Sequence, residues 1–135
     1  MTTTATTATV TKVANVIIPV ADQDRMLDFY TETVGLEKRA DVPFGENVPG
    51  RWIEVAPTGA DTPIAICPPG PTGESGGKDT GITLQTGDVD EYHAQLAERG
   101  VDVDEEVSRM GEPVPPLFWF RDPEGNQLMV VEITD

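Results

Sequence analysis

The chain repeats itself. Asp22-Gln-Asp24 is answered by Asp88-Val-Asp90, Gly35 by Gly100, and the tryptophan-bearing run Arg51–Ala56 by Leu117–Arg121. Between these markers the order strand, helix, three strands is predicted twice, so one supersecondary unit, βαβββ, is used two times over. In each unit the helix covers one face of its sheet and leaves the other bare. Joining two bare faces, within a chain or across a dimer, makes a cup. The predicted fold class is therefore α+β, with two βαβββ modules forming a cup-shaped mixed sheet.

The boundaries follow from local chemistry. Residues 1–9 are almost all Thr and Ala and are expected to be a disordered tail. The first module is expected over 10–67. It opens with a β-branched strand, Val10–Val20, in which Asn15, Ile17 and Pro19 share one face with Val13. Asp22 caps a helix carrying Met26, Leu27, Phe29, Tyr30 and Val34, and Gly35 stops it. A strand from Leu36 to Val42, a loop with Pro43, Gly45, Pro49 and Gly50, and strands at Arg51–Ala56 and Pro63–Cys67 complete the unit. Residues 68–80, rich in Pro and Gly, are expected to be a linker, and 81–135 the second module. There Asp88 caps a helix carrying Val89, Tyr92, Leu96 and Ala97, followed by an expected strand at Val101–Val107.

The last hairpin is the most legible stretch. Apolar runs flank Asp122-Pro-Glu-Gly-Asn126, whose Pro, Gly and Asn suit a turn. By strand period, Phe118, Phe120, Leu128 and Val130 face a helix. Trp119, Arg121, Gln127 and Met129 face the other way, and in the first module Trp52 and Glu54 do the same. A ring, a cation, an amide and a thioether suit a pocket wall. Paired core tryptophans filling an empty cup are an equally open reading. Glu54 and Arg121 would be expensive to bury unpaired, so they contact each other, reach solvent at the rim, or meet a polar ligand. The rim is favoured for Arg121.

Composition narrows the partners. Nine basic against 24 acidic residues give a net charge of −15, which repels phosphate backbones and anionic lipid over roughly a Debye length of about 8 Å. No nucleic-acid or membrane partner is expected, although an acidic surface also serves solubility alone. The single Cys67 excludes an internal disulfide and reads as a core hydrophobe in a reducing compartment. Without a spanning apolar run or a signal-peptide pattern, a cytoplasmic protein is expected. His93, the one histidine, reads as a solvated helix residue, Glu132 as a surface group, and Asp102–Glu106 as a solvated acidic run.

The double unit, the Asp22 and Asp88 helix starts, Phe29-Tyr30 followed by Val34-Gly35-Leu36, and Phe120-Arg-Asp-Pro-Glu-Gly-Asn126 resemble the vicinal oxygen chelate superfamily. This group holds glyoxalases, bleomycin-resistance proteins, fosfomycin-resistance enzymes and extradiol dioxygenases, and the likeness covers about Val10 to Thr134. In metal-using members the resemblance implies ligands, usually His, Gln or Glu, on the first strand of each unit and on the last strand. Carried over, those positions are Asn15, Gly81 and Met129, so no metal and no other cofactor is expected. The resemblance also implies a homodimer.

Two functions follow. The first is metal-independent binding of a small aromatic or amphipathic molecule, in a cup lined by Asn15, Trp52, Glu54, Trp119, Arg121, Gln127 and Met129. The second is a glyoxalase- or dioxygenase-like enzyme with an atypical metal site or acid–base chemistry at Glu54. Binding is favoured, because the chain offers no Ser–His or Cys–His pair. A plainer alternative is a subunit whose cup its own side chains fill.

Overall fold

A computed structural model describes residues 7–70 and 73–134. The first module contains β1 (Val16–Pro19), α1 (Gln23–Asp28) continued by a π turn (Phe29–Thr33), β2 (Glu37–Gly45), β3 (Val48–Ala56) and β4 (Ile64–Cys67). The second contains β5 (Asp79–Thr86), α2 (Val89–Glu98), β6 (Asp102–Val103), β7 (Leu117–Arg121) and β8 (Gln127–Glu132). Strand order is β1-β4-β3-β2 in one sheet and β5-β8-β7-β6 in the other. The two orders are the same pattern, and in each the outer first strand pairs parallel to the last. The fold is the α+β double βαβββ arrangement.

Both helices start as their sequences dictate. Asp22 accepts the N–H of Arg25 at 3.0 Å, and Asp88 that of Glu91 at 3.0 Å. The helix faces of the two sheets share one core, in which Ile18, Ile53 and Ile66 join Met26, Tyr30, Leu96, Phe118, Phe120 and Leu128. The alternation expected for the last hairpin holds: Phe118, Phe120 and Leu128 are fully buried, while Trp119, Arg121, Gln127 and Met129 are half-buried.

Several expectations need correction. The first strand begins at Val16, not Val10, because its partner among the described residues, β4, begins at Ile64 after Pro63, and the ladder starts with it. Residues 1–6 of the expected tail lie outside the described residues, and 7–15 carry no regular structure. The loop expected around Pro43 to Gly50 is the tip of a long β2–β3 hairpin. Pro43 is tolerated there because β2 is an edge strand, where a missing N–H breaks no ladder bond. β5 begins at Asp79, inside the stretch expected as linker.

The expected Val101–Val107 strand shrinks to two residues. Asp104 explains this: its N–H still reaches the Trp119 carbonyl, but its carboxylate takes the backbone N–H of Trp119 at 3.0 Å and its carbonyl accepts Nε2–H of His93 at 2.6 Å, so the strand is interrupted and pairing resumes only at the Ser108–Leu117 bridge. His93 is thus no solvated residue. It is half-buried, edge-on to Phe118 with ring centroids 4.9 Å apart. Ala97, expected on the packed stripe of α2, is exposed, and the stripe runs Val89, Tyr92, His93, Leu96.

The two modules are tied by side chains. The Tyr30 hydroxyl donates to Asp122 at 2.7 Å, with both residues buried. Glu124 accepts the N–H groups of Ala21 and Asp22 at 2.8 Å, just ahead of α1. Beyond the π turn, Tyr92 donates to the Val34 carbonyl and Arg99 to the Thr33 carbonyl, each at 2.7 Å.

Candidate functional site

With both helices on the core side, no helix among the described residues covers the other face of either sheet. Strand register fixes what stands on it. In the first sheet Ile17 pairs with Ala65, Ala65 with Glu54, and Trp52 with Val42, so these five side chains share the bare face. Ile17 is 53% exposed and Val42 54%, while Trp52 and Glu54 are half-buried. In the second sheet Thr83 pairs with Met129, Met129 with Trp119, and Gln127 with Arg121.

Each predicted residue can now be placed. Asn15 is half-buried, one residue ahead of β1. Trp52 Nε1 donates to Glu54 at 3.0 Å, so Glu54 is occupied by its strand neighbour rather than by Arg121. Arg121 is held by Asp102 at 3.1 Å, Asp104 at 3.0 Å and the Gln127 side-chain oxygen at 3.1 Å. The Asp102 and Asp104 carboxylates push the Arg121 pKa above its ordinary value against the opposing effect of burial. Met129 lies between Trp119 and Thr83. Trp52 stands on the third strand of one sheet and Trp119 on the third of the other. Among the described residues, neither indole makes a ring contact with another aromatic side chain.

The register therefore gathers Trp52 with Glu54 on one wall, and Trp119, Arg121, Gln127 and Met129 on the other. Away from both tryptophans, the edge strands β1 and β5 flank a cleft of about 590 Å³ whose lining, Val16, Ile64, Ile82 and Leu84, belongs to the core side. Sequence reasoning missed Asp102 and Asp104 as the partners of Arg121. Their two-residue spacing, matching that of Trp119 and Arg121 on the neighbouring strand, was the available signal. It also took Glu132 for a surface group, whereas its carboxylate accepts the Val89 N–H at 3.1 Å and caps α2.

Cys67 behaves as a buried hydrophobe. It shares the face of Ala65 and Glu54, and burial first, then the Glu54 charge, raises its pKa, so the thiol stays protonated. The donor set at the metal positions implied by the resemblance does not fit a hard divalent ion. Gly81 has no side chain, Met129 offers a thioether and Asn15 a single neutral amide. Among the described residues no three His, Cys, Asp or Glu side chains come together to hold one. No helix among them is long and apolar enough to cross a membrane.

Comparison with known proteins agrees with this geometry. YurT of Bacillus subtilis (strain 168), an uncharacterised protein, is 31% identical over 90% of this chain and 98% of its own. Among solved structures, TnmS3, an antibiotic binding protein from Streptomyces sp. CB03234, is 38% identical, with a TM-score of 0.79 over 95% of this chain and 100% of its own. A protein of the glyoxalase/bleomycin resistance protein/dioxygenase superfamily from Sphaerobacter thermophilus DSM 20745 is also 38% identical, with a TM-score of 0.82 over 92% and 98%. Residues 12–130 match the family model directly, and the chain belongs to the Glyoxalase/Bleomycin resistance protein/Dioxygenase superfamily.

Proposed function

We propose that the protein binds a small aromatic or amphipathic molecule, without a metal, on the bare sheet faces that carry Trp52 and Trp119, and that two chains pair to complete the cup. The observation that carries this reading is the make-up of that face. A solvated sheet face would be polar throughout, but here Ile17 and Val42 stand exposed beside Trp52, and Trp119 lies against Met129. The polar groups among them are already oriented: Glu54 by the Trp52 indole, Arg121 by two carboxylates. Fixed polar groups within an apolar wall are what a small-molecule site needs. The likeness to a protein described as antibiotic binding supports the same choice. The lone, buried thiol is consistent with a reducing, cytoplasmic setting.

Tryptophan fluorescence tests the site. A planar compound drawn from an aromatic and antibiotic library should quench the parent saturably, and Trp119→Ala should remove most of the binding while the domain stays folded. A broad library that yields no binder would defeat the proposal. Sedimentation should give twice the 14.5 kDa chain mass at micromolar concentration, and a monomer mass would refute the pairing.

Divalent metals should leave the melting temperature unchanged. A ligand that binds only the native state at a hundredfold excess over Kd stabilises by about 2.7 kcal/mol, an effect a melting curve shows clearly. A rise with Zn, Ni, Mn or Fe that a chelator reverses would shift the reading toward the enzyme alternative.

A further inference from the structure

In an acidic protein most arginines find a carboxylate. Arg39 pairs with Glu37, Arg51 with Asp24 and Asp41, Arg109 with Asp90, and Arg121 with Asp102 and Asp104. With 24 acids to nine bases that outcome is expected of every arginine. Among the described residues, Arg25 and Arg99 are the two that form no ion pair, and both line one cleft of about 470 Å³. The cleft lies between α1 with its π turn, the end of α2, and the turn after β7.

The acids in its wall are already answered from within the protein. Asp102 binds Arg121. Asp122 accepts from the Tyr30 hydroxyl, the Asn126 side chain and the backbone N–H groups of Glu124 and Asn126. Two guanidinium charges are left over. Arg99 spends one donor on the Thr33 carbonyl and Arg25 spends none on the protein, although each group carries five N–H donors. Phe29, half-buried, and Val101 add an apolar wall beside them.

We propose that this cleft is a second binding site, for a small aromatic carboxylate whose anionic end meets Arg25 and Arg99 and whose ring lies on Phe29 and Val101. Guanidinium donors suit a carboxylate in charge and in geometry. A neutral ligand would leave both charges unanswered, and a cation would be repelled. The site is separate from the cup, because Trp52, Glu54, Trp119, Gln127 and Met129 take no part in its lining. Arg121 touches both regions, but its guanidinium is committed to Asp102 and Asp104.

The test uses the full chain and benzoate as the probe, with neutral benzamide as its control, followed by amide chemical shifts. Benzoate should move the signals of Thr33, Gly100 and Val101 saturably, and benzamide should not. Arg25→Gln and Arg99→Gln should each weaken benzoate binding about tenfold, the effect of losing a charge-assisted hydrogen bond. Arg109→Gln, at an ion pair away from the cleft, should bind like the parent. Arg25 is exposed and its guanidinium bonds to nothing in the protein, while the backbone N–H that meets Asp22 survives the substitution, so its replacement leaves the fold intact even if the Arg99 variant is disturbed. No saturable shift in the parent, equal binding of benzamide, or undiminished binding by Arg25→Gln would overturn the proposal.

Discussion

Asp122→Ala is expected to lower the free energy of unfolding by about 3–5 kcal/mol, a loss much larger than an ordinary turn substitution produces. The carboxylate is buried, 4% exposed, and four donors converge on it. Removing it strands the Tyr30 hydroxyl inside the core, together with the Asn126 amide and two turn N–H groups. Each orphaned donor costs about 1–3 kcal/mol, and the losses overlap because the groups share one site. Urea unfolding measures the effect, and a loss under about 1 kcal/mol would show that water or a rotated Asn126 satisfies these donors.

The same contact shapes the alkaline limit. Burial first, and then the Asp122 and Glu124 charges and the hydrogen bond to Asp122, raise the Tyr30 pKa far above its ordinary 10.0. A raised native pKa means that stability from this group is whole below pH 10 and falls as pH climbs higher, since the unfolded chain gives up its proton first. Tyr30→Phe should flatten that alkaline limb.

Phe118→Ala and Trp119→Ala, neighbours on one strand, should differ sharply in stability. Phe118 is fully buried against His93 and Tyr92, so its truncation should cost about 3–5 kcal/mol through lost transfer energy and the cavity left behind. Trp119 is the larger residue but stands half-exposed on the bare face, and its loss should cost clearly less. Denaturant midpoints of the two variants read the difference directly. Equal large losses would mean that the Trp119 ring fills a closed core, and the binding proposal would fall with it.

How far the sequence speaks depends on the range of the interaction. Helix starts at Asp22 and Asp88 and the faces of the last hairpin were legible because caps and strand period are local. So was the double unit, which recurs as a matching strand order in both sheets. Strand lengths were less legible, since a partner decides them: β1 starts only where β4 does, at the Val16–Ile64 pair, and β6 stops where Asp104 turns its groups to His93 and Trp119. The turn Asp122–Asn126 was readable as a turn, but not as the place where the two modules meet. That role rests on Tyr30, 92 residues away in the chain. For the candidate site, Trp52 and Trp119 were assigned to the right faces, while the carboxylates that hold Arg121 were hidden in what looked like a solvated acidic run.

The first helix is finished at both ends by the second module: Glu124 holds the N–H groups leading into it, and Arg99 and Tyr92 take the carbonyls leading out. Each half therefore leans on the other for contacts at the ends of that helix. Beyond its own Asp22 cap, the first helix gains these end contacts only once α2 and the last hairpin are in place, so sequence-distant contacts weigh on its stability. With a shared core as well, the two halves are expected to unfold in one transition despite their shared pattern, and a single coincident urea midpoint by fluorescence and circular dichroism would show it.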